Sequence, residues 1–215
     1  MRIATAALIA LALAACTRDG KLQLVEDAPE TRWRMITTEQ DRERLRNWRK
    51  AWVEALPKAR KADAAAIAEQ GPLFEPDQAL SRAMPPAGDY KCRTFKLGGQ
   101  RPEMRDFTAY PWFTCRVGRE GELPTFAKLD GSQRPMGKIY AETDTRVIFL
   151  GALELGDETI PLIYGQDKKR DMAGYIERVG TTRWRLVLPW PTFESQIDVI
   201  ELVPAWPALL PALGH

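Results

Sequence analysis

The sequence predicts a mainly β fold, an antiparallel meander closed or nearly closed into a barrel, with a helical segment packed on its outside or end. Three observations carry this prediction. Sixteen prolines and 15 glycines divide the chain, above all its second half, into short segments that favour strands and turns over long helices. From Gly88 onward, strand-like runs recur at short spacing between Gly, Pro, Asp and Thr turns. Residues 37–71 instead carry apolar side chains at helical spacing. With 215 residues and 45% hydrophobic content, one well-buried core is within reach, so one main domain is expected over residues 88–204.

The first element is not part of that fold. Between Arg2 and Cys16 lie 13 apolar or small residues, whereas a bilayer span needs about 20. One early positive charge, an apolar centre and small residues before a cut form the pattern of a secretory signal peptide over residues 1–15. Leu13-Ala14-Ala15-Cys16 resembles the lipobox of bacterial lipoproteins. That resemblance implies cleavage before Cys16, which becomes an acylated N-terminus. Two or three acyl chains, at about 0.8 kcal/mol per buried methylene, hold a protein stably at a membrane. Thr17 rather than aspartate follows the cysteine, which in that class implies the outer membrane, with the domain facing the periplasm. Residues 16–36 are expected to be a linker; extended at about 3.3–3.6 Å per residue, they would reach roughly 65–70 Å.

Loss of the signal removes one of the 31 basic residues, Arg2, and leaves 30 against 29 acidic ones. A net charge near +1 singles out no partner class and points to no nucleic acid. Of three cysteines, lipidation uses Cys16. Cys92 in YKCRTFKL and Cys115 in WFTCRVG then form an even pair in an oxidising compartment, and a disulfide between neighbouring strands is expected. Two cysteines without a nearby histidine make a poor metal site, and the close C-x-x-C spacing of redox pairs is missing.

The helical segment starts at Thr37-Thr38-Glu39-Gln40-Asp41, a hydroxyl cap followed by acidic or amide residues. Leu45, Trp48, Trp52 and Leu56 then lie on one stripe of period near 3.6. Pro57 is expected to end or kink this helix. A second, alanine-rich helix is predicted over 58–69, capped at Gly71. Arg42 to Lys61 holds eight basic and two acidic residues, a solvated face or one that rests on anionic headgroups, where each basic residue near the surface contributes about 1 kcal/mol.

Strands are predicted over 89–97, 107–117, 123–129, 136–140, 145–155, 159–164, 172–179, 183–188 and 196–203. A flat sheet of that size exposes edges, so a lipocalin-like closed barrel is expected, with a sandwich as the alternative. RVIFLGALEL is apolar on both alternations. Val147, Phe149, Leu153 and Leu155 share one side, and Ile148, Leu150 and Ala152 the other. One face lines the interior; the other needs a cover, which the Leu45, Trp48, Trp52 stripe is expected to supply. Trp184, Leu186 and Leu188 are expected to point inward, with Arg183 and Arg185 outward or toward a mouth. Residues 205–215 form a Pro-rich tail.

GSQRPMG, VIFLGALELGDE, YGQDKKRDMAGYIERVG, TTRWRLVLPWP and IDVIELVP, preceded by the helix RLRNWRKAW, are similar to the bacterial domain of unknown function 4893, a family of envelope lipoproteins, over about residues 33–204. The resemblance implies a compartment and no activity, cofactor or catalytic residue.

Chemistry is bounded mostly by exclusion. The single histidine, His215, ends the chain, which leaves no place for histidine triads or histidine metal sites. No G-x-S-x-G, Walker or dinucleotide glycine pattern occurs. Carboxylates remain, at Asp157, Glu158, Asp167, Asp171 and Glu177, and two at a suitable separation would serve an envelope hydrolase. Charged turn residues ordinarily face solvent, and a non-catalytic binding or interaction module is the leading expectation. Its candidate anion site is Arg134, Arg146, Arg170, Arg183 and Arg185, near strand ends, converging on a carboxylate or phosphate. The bland alternative pairs each of them with an aspartate or glutamate. An assembly role, with another envelope protein docking on the tail PAWPALLPAL, is the third reading.

Overall fold

Nine strands follow one another along the chain: β1 (Gly88–Gly99), β2 (Phe107–Ala109), β3 (Phe113–Glu120), β4 (Leu123–Lys128), β5 (Gln133–Thr143), β6 (Arg146–Leu155), β7 (Asp171–Gly180), β8 (Arg183–Pro189) and β9 (Ser195–Pro204). The computed structural model describes residues 32–205 except 157, 159 and 161. The signal segment, Cys16, the linker up to residue 31 and the tail from residue 206 thus lie outside the described residues. All strand pairs are antiparallel, in the order β2-β1-β3-β4-β5-β6-β7-β8-β9, and β9 pairs back onto β1 from Tyr90 to Gly99. That last ladder closes an eight-stranded barrel. β2 remains outside it, bonded to β1 at Phe95–Leu97.

The period-2 alternation of the strands sorts their side chains into two cores. Val147, Phe149 and Leu153 of β6 pack inside the barrel with Phe126, Ile176, Trp184, Leu186 and Leu188. Ile148 and Leu150 face outward with Tyr175, Val187 and Val199, against the helices. Gly137 and Gly151 oppose each other on β5 and β6. A Cβ on either would stand 2.2 Å from a carbonyl oxygen of the other strand, so their absence permits the sharp coiling that closure requires. The Cys92–Cys115 disulfide joins β1 to β3 inside the barrel.

The two ends of the barrel differ. At one, β3–β4, β5–β6 and β7–β8 are joined by two-residue turns. Residues 80–86 close this end: the Leu80 amide donates to Arg178 O at 2.8 Å, the Ala83 amide to Asp144 O at 2.9 Å, and Tyr90 Oη to Pro86 O at 2.6 Å. The opposite end carries the longer connections 100–112, 129–132, 156–170 and 190–194.

Outside lie α1 (Trp33–Ile36), α2 (Glu39–Arg46), α3 (Trp48–Ala62), α4 (Ala64–Glu69) and a 3₁₀ turn (Gly71–Phe74). Thr38 caps α2, accepting the Asp41 amide at 3.3 Å. Buried Asp41 ties the start of α2 to the β6–β7 connection, where Tyr164 Oη donates to it at 2.8 Å. Trp52 is buried on α3, and its indole donates to Tyr175 Oη at 2.8 Å. The expected Trp stripe therefore does cover the outer wall.

Several expectations are corrected. Four residues assigned to the linker form α1. The helical run breaks at Asn47, whose φ of −95° and ψ of 17° leave the helical region, and α3 runs straight through Pro57. Pro57 and Val53 both face solvent, so water takes up the carbonyl that the proline leaves without a partner. The second helix is only Ala64–Glu69, capped by Asp63; Gly71 follows it with a φ of +53°. The run 107–117 is divided at Tyr110–Trp112, and the described residues of 159–164 form no strand.

Candidate binding groove on the barrel wall

The five arginines proposed as one anion site are divided between two places. Arg134 and Arg170 stand at the loop end. Arg170 makes a two-pronged pair with Glu158 at 2.8 and 3.1 Å, and Arg134 reaches Glu154 at 3.4 Å and the Glu158 carbonyl at 2.8 Å. Arg146, Arg183 and Arg185 lie on the outer wall, under or beside the helices. The strand register aligns Glu177 with Arg185, Arg185 with Glu201, and Glu201 with Arg93. Arg146 precedes the Val147–Ile176 pair, which extends the alternation to Arg146, Glu177, Arg185, Glu201, Arg93 across five strands. Glu177 accepts from Arg146 Nε at 2.9 Å and from Arg185 Nη2 at 2.6 Å. Glu201 accepts from Arg93 and Arg183 at 2.7 and 2.5 Å.

Arg185 is fully buried. Its remaining donors reach the carbonyls of Pro72, Leu73, Glu75 and Pro76 at 2.9–3.2 Å, so it fastens the 3₁₀ turn to the sheet. Arg183 fastens the end of α4 in the same way, through Gln70 O at 2.8 Å. Both act as structural clamps between the sheet and the segment that follows α3.

Arg146 is different, because it ends the row at an open groove. Its guanidinium carbon lies 4.1 Å from the Trp48 ring centroid and 4.2 Å from that of Tyr175, a stacked arrangement that suits Arg. The groove has a volume of about 420 Å³ and lies between α1, α2 and the wall formed by β5, β6 and β7. Trp33 and Arg34 form one side, and Glu142 holds them: the Trp33 indole donates to it at 2.9 Å, and Arg34 at 2.7 and 2.9 Å. Arg42 and Arg46 form the other, exposed side. Four arginines and one glutamate line the groove. Among the described residues, neither Arg42 nor Arg46 is paired with a carboxylate, and Arg42 Nε donates to Thr37 O at 3.1 Å. An aromatic floor with convergent guanidinium groups can hold a carboxylate or phosphate attached to an apolar body.

Phe126, Phe149 and Trp184 pack the barrel interior. The space at its loop end measures about 30 Å³, enough for roughly one or two water molecules. Beside it Lys96 pairs with Asp198 at 2.9 Å and with Glu194 at 3.1 Å. Burial works against the Lys96 ammonium, yet the two carboxylates outweigh it and hold its pKa above the usual lysine range. Burial likewise holds the Asp198 carboxyl above its ordinary range, against the pull of Lys96. Lys128, also buried, donates to Asp130 O at 2.5 Å and faces the Phe113 ring; burial lowers its pKa to about 8.

The carboxylates weighed for hydrolysis are divided among different partners, and burial together with Asp41 and Asp167 holds the Asp171 carboxyl above its ordinary range. Glu158 is taken by Arg170, and Glu177 is buried between two arginines. Asp167 accepts the Lys169 amide, and Asp171 the Gly165 amide; Asp157 lies outside the described residues. Among the described residues there is no group of three metal-ligating side chains and no helix long and apolar enough to cross a membrane.

The groove residues Trp33, Arg34, Arg42 and Arg46 were missed as a site because two of them fall in the presumed linker and the others on a face read as solvated. Their signal was the repeated basic–aromatic pattern RWR and RLRNWR. A family model described as Domain of unknown function (DUF4893) matches residues 33–202. No curated protein and no solved structure matches the chain.

Proposed function

The chain belongs to the family of the domain of unknown function 4893, which brings no activity with it, and from that premise we propose a non-catalytic binding module of the bacterial envelope. Cys16, acylated after signal cleavage, tethers it to the membrane, the outer one by the Thr17 criterion, with the barrel facing the periplasm. Binding takes place on the wall and not in the lumen. The observation that carries this reading is the groove itself, about 420 Å³ on the outer wall and lined by arginines and aromatic rings. Lipocalin-like barrels that hold a ligand keep it in an open interior; here Phe126, Phe149 and Trp184 fill that interior. The lipobox resemblance and the signal pattern support the tether, and the Cys92–Cys115 disulfide is the pairing that an oxidising compartment favours.

The test is Cys16→Ala expressed in a bacterial host. The variant is expected to leave the membrane fraction and to lose incorporated fatty-acid label. Retention in the membrane with unchanged label would refute the tether.

A further inference from the structure

We propose that the groove receives the phosphate of an anionic phospholipid in the bilayer to which the chain is tethered, so that the barrel rests on the membrane with α1 facing it. The proposal deepens the binding reading above and relies on the tether only for proximity. Three features of the groove point to a lipid and not to a soluble anion.

The first is charge. Of the four arginines that line the groove, Arg34 is paired with Glu142 and Arg146 with Glu177, while Arg42 and Arg46 have no carboxylate partner among the described residues. Guanidinium forks match phosphate oxygens. The second is the exposed apolar pair that follows Arg34 in α1. Met35 and Ile36 of α1 are 72% and 47% exposed, directly beside Arg34. Apolar side chains next to arginines and an indole are the make-up of a surface that lies in the headgroup region, whereas a site for a small soluble anion has no use for them. The third is geometry. Trp33 lies 33 − 16 = 17 residues from Cys16, a reach of at most roughly 60 Å, and the tether therefore arrives at the groove's own wall.

The experiment uses the full mature chain carrying Cys16→Ala, so that no acyl group contributes. Flotation is measured with vesicles of phosphatidylcholine alone and of phosphatidylcholine and phosphatidylglycerol in equal amounts. Binding is expected only to the anionic vesicles. Arg42→Glu with Arg46→Glu is expected to weaken it by at least roughly thirtyfold, the effect of two basic residues near a membrane surface. Both side chains are exposed, so the fold is retained. Lys58→Glu with Lys61→Glu, exposed near the far end of α3, changes net charge equally and is expected to have a much smaller effect. Equal losses in the two double variants would overturn the proposal in favour of diffuse attraction to the helix. Saturation of the groove by glycerol 3-phosphate, read by calorimetry, with no flotation of the protein, would replace the lipid by a soluble anion. None of these outcomes depends on Cys16, so failure of the groove and failure of the tether are read separately.

Discussion

Glu177 carries two arginines at once, and one of them has no water to fall back on. Arg185 is fully buried, and among the described residues Glu177 is its only carboxylate partner. Glu177→Gln would keep the shape but remove the carboxylate that Arg185 and Arg146 share, leaving the buried Arg185 charge to neutral oxygens. Breaking a buried pair from one side costs about 3–5 kcal/mol, and urea unfolding is expected to show a loss of that size. Glu158→Gln, where both partners are in contact with solvent, is expected to cost far less, because water screens the pair. Lys128 is a second residue whose burial has a measurable consequence, here through pH. Its folded pKa, lowered from 10.5 to about 8 by burial, lies below that of the unfolded chain. Between about 8 and 10.5 the unfolded state therefore holds the extra proton, and stability contributed at this position rises with pH. Burial pushes Tyr90 up to about 12, which acts in the opposite direction above pH 10. Comparison with Lys128→Met removes such shared effects. The stability of the wild type relative to the variant is expected to increase from pH 7.5 to pH 9.5, and a constant difference would show that Lys128 titrates normally.

At the scale of elements, what the sequence made legible was whatever depends on periodicity alone. Both faces of β6 read correctly, because Val147, Phe149 and Leu153 alternate with Ile148 and Leu150 whatever the strand pairs with. The Trp48, Trp52 stripe read correctly for the same reason, and so did the inward set Trp184, Leu186 and Leu188. The helix boundaries were less legible. Pro57 breaks a helix only if the freed carbonyl lacks a partner, and exposure of that turn could not be known beforehand. Asn47 interrupts the helical run between α2 and α3, where its side chain donates to Glu43 O at 3.0 Å, a local competition that its position in RLRNWRK does not announce. The arginine site was the least legible, since a one-residue slip in register exchanges the faces of a strand. Only the ladder β6-β7-β8-β9-β1 shows that Arg185 meets Glu177 and that Arg183 and Arg93 share Glu201. Arg146 was among the candidates, but Arg42 and Arg46, which line the same groove, come from a helix that sequence could not dock on a particular strand.

At the scale of the molecule, closure of the barrel depends on β1, which serves three partners. It pairs with β9 from Tyr90 to Gly99, with β2 at Phe95–Leu97, and with β3 only over Gly88–Cys92. The β1–β3 seam is thus short, and β1 leaves β3 just where the disulfide stands: Cys92 is the last β1 residue in that ladder, and Cys115 lies diagonally across from it, with a Cα–Cα distance of 5.8 Å. A cross-link across a sequence separation of 23 residues contributes about 3 kcal/mol in the chain-entropy model. Its position adds a local consequence to that global one. Without the link, opening of the barrel is expected to begin at the β1–β3 seam, the shorter of the two long-strand ladders of β1, while β6, β7 and β8, joined in turn by their own ladders, remain closed. Cys92→Ala with Cys115→Ala would test this, since both side chains are fully buried in an apolar layer and alanine leaves no polar group behind. Urea unfolding is expected to show a loss of about 3 kcal/mol. Native-state hydrogen exchange is expected to show selective loss of protection in β1 and β3, with amides of β6–β8 following the global change alone. Uniform acceleration across all strands would mean that the seam is no weaker than the rest and that the barrel opens as a single unit.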